Sequence, residues 1–94
     1  MPARGDSLVV TYVAWDFVTQ TGRTGDATNH SLKLLLDGVE LVPSGNPAEI
    51  DSNGLPGMYN LAVTSAETQC SILVVCGVSS SSGVSIIQTS ISLT

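Results

Sequence analysis

"SLKLLLDGVELV", Ser31 to Val42, is the stretch whose reading decides the fold. Leu32, Leu34 and Leu36 alternate onto one side. Asp37-Gly38 interrupts them, and Val39-Glu40-Leu41-Val42 resumes the apolar run. Two such runs joined by only an Asp-Gly pair predict a β-hairpin, because both turn residues must take positive φ and these two tolerate it. Antiparallel strands therefore flank a turn at Asp37 and Gly38.

The same pattern extends in both directions, with short apolar blocks split by Gly, Pro, Asn and Asp and almost no helical periodicity. Upstream, Leu8 to Val18 reads as a strand. Val9, Val13, Trp15 and Phe17 share one parity, and Leu8, Val10, Tyr12, Ala14 and Val18 share the other. With both faces apolar, it is expected to be buried on two sides or to lie against a partner. "TQTGRTGDATNH" (19–30) reads as a loop, with Gly25 and Asp26 as turn residues. Downstream, "PSGNPAEIDSNGLPG" (43–57) reads as an irregular link carrying three prolines. Asn53-Gly54 and then Pro56-Gly57 turn the chain, and Glu49 and Asp51 bond nearby backbone amides. Met58 to Thr64 is a strand with Tyr59, Leu61 and Val63 inward. "SAETQ" (65–69) is a turn or a single helical turn. Cys70 to Val78 is a central strand, "SSSSG" (79–83) a flexible turn, and Val84 to Leu93 the last strand. Six or seven strands in 94 residues predict one domain over 1–94, an all-β, immunoglobulin-like antiparallel β-sandwich with a short N-terminal arm over about 1–7. The cysteine–tryptophan–cysteine order of antibody domains is not met, because Trp15 precedes both cysteines.

Charge excludes whole classes of function. Eight acids against three bases (Arg4, Arg23, Lys33) give a formal net charge of -5, so no basic patch exists for phosphate neutralisation. Nucleic acid and anionic membrane surfaces are not expected partners. No window approaches the roughly 18 apolar residues of a membrane span, and the N-terminal stretch does not read as a signal peptide. Synthesis in a cytoplasm without an export signal is the expectation. Charged residues make up 12% of the chain against 43% hydrophobic, which favours a surface covered by neighbours. Cys70 and Cys76, placed on one extended strand, would lie about 20 Å apart on the same side, too far for a disulfide. They read as small apolar residues.

The motifs that suggest chemistry fail on spacing. Arg4-Gly5-Asp6 matches an integrin tripeptide but sits in a turn beside the chain end. Asp51-Ser52-Asn53-Gly54 begins like a calcium loop, yet its Gly falls at the fourth position and no closing acid follows. Glu49 and Asp51 have no aromatic platform nearby for a sugar. His30 and Ser31, adjacent on a strand, point to opposite faces and cannot act as base and nucleophile. His30 reads instead as a strand-start residue bonding its own loop. No catalytic, cofactor-binding or metal-ligating residue is expected.

Three segments in order, "TGDATNHSLKLLLDGVELVP" (24–43), "NPAEIDSNGLPGMYNLAVTSAETQ" (46–69) and "SSSSGVSIIQTSI" (79–91), resemble a small β domain that recurs in virion structural proteins of tailed bacteriophages. The resemblance covers about residues 22 to 92. Its departure is Ala62-Val63-Thr64-Ser65-Ala66 in place of a plainer Leu-Thr run. It implies a non-enzymatic virion protein, most simply a capsid decoration (cement) protein on the capsid surface. Its implied partners are itself, as a homotrimer, and the major capsid protein. A tail or neck adaptor is the alternative, and a glycan-binding adhesin module a further one, though Tyr12 and Trp15 lie on a strand expected to be buried. Candidate assembly contacts are Met1, Pro2, Ala3 and Arg4 in the arm and Val84, Ile86, Ile87, Ile91 and Leu93 in the last strand.

Overall fold

The computed structural model describes residues 3–94. Among them are nine strands: β1 (Leu8–Asp16), β2 (Thr21–Gly22), β3 (His30–Leu36), β4 (Val39–Leu41), β5 (Ala48–Asp51), β6 (Leu55–Val63), β7 (Ile72–Ser79), β8 (Val84–Ile87) and β9 (Thr89–Ser92). Short 3-10 turns occupy Ala27–Asn29 and Ser65–Thr68. Every strand pairing is antiparallel. The first sheet runs β2-β1-β6-β5, with β8 also paired to β1, and the second runs β4-β3-β7-β9. The two sheets share one core, so the chain is the all-β sandwich that its alternation predicts, with nine strands rather than six or seven.

The core follows from parity. Val10, Tyr12 and Ala14 of β1 and Tyr59, Leu61 and Val63 of β6 meet Leu32 and Leu34 of β3 and Leu73 and Val75 of β7. Each fully buried Leu or Val contributes about 1.5–3 kcal/mol of transfer free energy. The β3–β4 hairpin forms as its sequence demands. Leu36 pairs with Val39, and Asp37 (φ 51°) and Gly38 (φ 89°) both lie at positive φ, the signature of a type I′ turn. The Asp37 carboxylate then accepts the backbone N–H groups of Ser71 and Ile72, tying the turn to the start of β7.

Four stretches depart from the sequence reading. β1 stops at Asp16, not Val18, because the Asp16 carboxylate takes the N–H groups of Val18 (2.9 Å) and Thr19 (3.2 Å) and turns the chain. The loop 19–30 contains β2, too short for any period to reveal. The link 43–57 contains β5 and the start of β6. Pro56-Gly57 makes no turn, since both residues lie within β6 and Gly57 at φ +85° lets β6 pass against β2. A Cβ on Gly57 would stand 2.4 Å from the Gly22 Cα, and one on Gly22 would stand 2.1 Å from the Pro56 carbonyl oxygen.

The last strand is two strands in different sheets. β8 pairs with β1 and β9 with β7, the chain crossing between sheets at Gln88. The Thr89 hydroxyl donates to the Thr11 carbonyl (2.8 Å) at the crossing. Cys70 precedes β7 and is buried in the core, whereas Cys76 is half-buried on the opposite side of β7, so the two free thiols do not share a face.

Candidate functional site

The densest constellation of polar side chains lies at one end of the sandwich, between the sheets. The 3-10 turn before β3 brings Asp26 beneath the start of that strand. His30, its first residue, donates from Nε2 to Asp26 Oδ2 (2.9 Å). Ser79, the last residue of β7, donates its hydroxyl to the same oxygen (2.7 Å). Asn29 Nδ2 (2.9 Å) and the Ser81 hydroxyl reach Oδ1. The first sheet supplies two phenols. The Tyr12 hydroxyl bonds His30 Nδ1 (2.7 Å), and the Tyr59 hydroxyl accepts the Asp26 N–H (3.1 Å) and donates to the Arg23 carbonyl. With Asp26 ionised and only able to accept, His30 carries its proton on Nε2 and accepts the Tyr12 proton at Nδ1. The two phenol rings stack at 5.7 Å, and His30 meets both edge-on.

Acid, imidazole and hydroxyl stand in line here, as in a nucleophilic triad. Their surroundings assign a different role. The side chains of His30 and Asp26 are 0% and 1% exposed, and Tyr12 is 1% exposed. Burial pushes the Asp26 carboxyl up, but hydrogen bonds from Asn29, Ser79 and Ser81 and the charge of His30 outweigh it and hold the group at about 2. Burial pulls the His30 imidazole down, against the raising effect of Asp26, so the ring is neutral near pH 7. Burial and the nearby Tyr59 and Asp26 push the Tyr12 phenol well above its usual range. Ser31, the hydroxyl next in sequence, is exposed on the other face of β3. Shallow depressions of about 290 and 330 Å³ beside Asn46 and Pro47 border this end, lined by the backbone side of His30. What the cluster does is bind β1 and β6 of one sheet to β3 and β7 of the other.

Outside the first sheet the arrangement is the reverse. Residues paired in register lie on one face, so Val13 stands between Ile87 of β8 and Met58 of β6, Trp15 beside Ser85, and Val9 beside Ala62. These alternate with the buried Val10, Tyr12 and Ala14 and therefore point away from the core. Among the described residues, no charged side chain lies on this face. Asp16, Asp26 and Glu67 are buried, and Glu49 is the inward partner of Tyr59. Asp37, Glu40 and Lys33 belong to the β3–β4 hairpin of the second sheet, where Lys33 pairs with Glu40 at 3.2 Å. Arg23 pairs with Asp16 at 3.2 Å, Asp51 sits at the β5–β6 turn, and Arg4 and Asp6 belong to the N-terminal turn.

The residues singled out from sequence fall into separate places. Met1 and Pro2 lie outside the described residues. Ala3 and Arg4 are exposed in a turn docked on the body, where the Arg4 guanidinium donates to the Ser71 hydroxyl and the Arg4 N–H to the Thr94 carbonyl (3.1 Å). Val84 and Leu93 are core residues at 8% and 6% exposure, so they are interior and not contact residues. Ile86 and Ile91 are partly buried against the core, and Ile87 alone of that set is open, on the charge-free face. Gly25 (φ +65°) turns the chain into Asp26, and Asn53 and Gly54 turn it between β5 and β6. The Asp51 carboxylate accepts the Asn53 N–H (3.0 Å), as a turn acid does. Glu49 instead reaches across to the Gly25 N–H (3.1 Å), and its Oε2 is buried with no hydrogen-bond partner among the described residues. His30 bonds its own loop, as its position predicts.

The sequence reading missed Asp16, Tyr12, Tyr59, Ser79 and Ser81 as polar partners. Asp16 carried a signal, an acid ending an apolar run ahead of a turn. The serine run carried none, because any of four hydroxyls could have faced inward. No family model, curated protein or solved structure matches this chain.

Proposed function

We propose that this chain is a non-enzymatic structural protein of a tailed-phage virion, a decoration (cement) protein that sits on the capsid surface as a homotrimer and bridges subunits of the major capsid protein. The observation that carries this reading is the charge-free, largely apolar outer face of the first sheet, centred on Val13 and with Thr11, Asn60 and Ser85 as polar members, on a chain with few charges elsewhere. A face of that composition gains free energy when covered, at about 25 cal/mol per Å² before association costs. The Asp26–His30–Tyr12 core of the polar cluster is buried and its hydrogen bonds join the sheets, which supports a non-catalytic role. The short edge strands, three residues in β4 and four each in β5 and β9, offer little length for strand addition, so contact through a face fits better than contact through an edge.

Phage heads stripped of tails test the reading. Mass spectrometry of their protein is expected to find this chain in amounts comparable to the coat subunit. Its absence from heads and presence in tails would transfer it to the tail or neck. One observation favours a glycan-binding module as a second reading: Trp15 is only half-buried, contrary to the sequence expectation, and Phe17 is 58% exposed. Binding of the isolated chain to a glycan array, lost in Trp15→Ala, would establish it.

A further inference from the structure

We infer that the outer face of the first sheet, around Val13, Trp15, Met58 and Ile87, is the surface through which the protein binds a second copy of itself. The inference rests on the self-assembly contained in the reading above and names the face that performs it. Charge selects the occupant. At a net charge of -5, two copies repel, and repulsion is least where no acid comes to the contact. All eight acids lie elsewhere: buried, turned inward beside Tyr59 (Glu49), on the second sheet, at the β5–β6 turn or in the N-terminal turn. All three basic side chains are elsewhere too, so the face offers no salt bridge to an oppositely charged partner. A surface of a sister copy that is likewise free of charge is the complement it fits.

Area agrees. Four strands about 4.8 Å apart, the central two nine residues long, lay down a face about 30 Å by 19 Å at its widest. Two such faces, with side chains standing off them, bury on the order of 1,000 Å², the floor for a specific interface. Tryptophan and methionine are the residue types that interface centres favour and charged surfaces exclude. Stacking on the same face of one sister closes a dimer. A trimer sets this face against a different surface of the sister.

Sedimentation equilibrium of the full chain across low to high micromolar concentration tests this, with lysines placed on each sheet. Ile87→Lys and Ser85→Lys put a charge on exposed positions of the face. Val78→Lys puts the same charge on the outer side of the second sheet, where the residue is 66% exposed. Circular dichroism confirms that each variant is folded. The wild type is expected to form a discrete dimer or trimer, weakened at least about tenfold by the first two substitutions and unchanged by the third. Association lost in Val78→Lys and kept in both face variants would overturn the inference and leave self-assembly standing. A wild type that stays monomeric throughout would overturn both, and detection of the chain on tail-free heads would remain a separate matter.

Discussion

Around Asp26 a carboxylate, an imidazole and two phenols lie inside the sandwich, whereas around Val13 a tryptophan, a methionine and an isoleucine lie on its outside. Each arrangement is unfavourable on its own terms. Burying ionisable groups costs several kcal/mol unless every donor and acceptor is met, and leaving a large apolar face in water costs what covering it would recover. The inner site has found its partners within the chain: Asp26 alone accepts from Asn29, His30, Ser79 and Ser81. The outer face is only partly covered within the chain: Val13, Trp15 and Met58 are half-buried, and Val9 and Ile87 are exposed. The region that looks like chemistry is therefore complete, and the region that looks inert is the one that lacks something. That difference is the ground for reading function from the surface.

Gly57→Val places a branched side chain where a Cβ already meets Gly22 at 2.4 Å, at a φ of +85° that valine does not adopt. The expected result is loss of the native fold, seen as collapse of amide dispersion in a proton–nitrogen spectrum, while a dispersed spectrum would mean that β2 can move away. Asp26→Ala comes next. It strands the buried His30 side chain and removes the acceptor of the half-buried Ser79 and Ser81 and the exposed Asn29, so urea unfolding should show a loss of about 3 kcal/mol. A loss near zero would show that the cluster joins nothing.

Acid acts on the same cluster more gently. The folded His30 titrates below its ordinary 6.5, so as pH falls beneath that value the unfolded chain takes up a proton that the folded chain refuses, and stability declines. Asp26, held at about 2 against an ordinary 3.8, keeps its contribution above about pH 4 and loses it between there and pH 2. The melting temperature of the wild type should therefore fall from pH 7 to pH 5, and His30→Gln should flatten that fall. An equal slope in the variant would assign it to other groups. The smallest effect belongs to the turn acid: Asp51→Asn keeps an oxygen for the Asn53 N–H, and its urea midpoint should stay close to wild type. If that substitution abolished assembly, the β5–β6 turn would have to be part of the contact.

The parts legible in the sequence are those fixed by local rules. Asp37-Gly38 specified its hairpin through turn sterics, and the alternation of Tyr59, Leu61 and Val63 specified which side of β6 is inward. The parts that were not legible depend on what lies across the molecule. β2 is two residues whose only mark is a glycine that fits under Gly57. β8 and β9 read as one alternating strand because nothing in "VSIIQTSIS" (84–92) shows that its halves belong to different sheets. The polar cluster needed five segments to meet, and parity on β1 showed two apolar sides without showing which of them the fold would cover.

Trp15, the single tryptophan of the chain, reports directly on that uncovered side. Acrylamide quenching of its fluorescence, measured as the protein is diluted through its association range, tests whether that side is covered in the oligomer, with no substitution at all. Quenching should be weak where the oligomer dominates and should strengthen as it dissociates. Quenching that stays the same while sedimentation shows the oligomer dissolving would contradict the account, because the face around Val13 would then be open in both states.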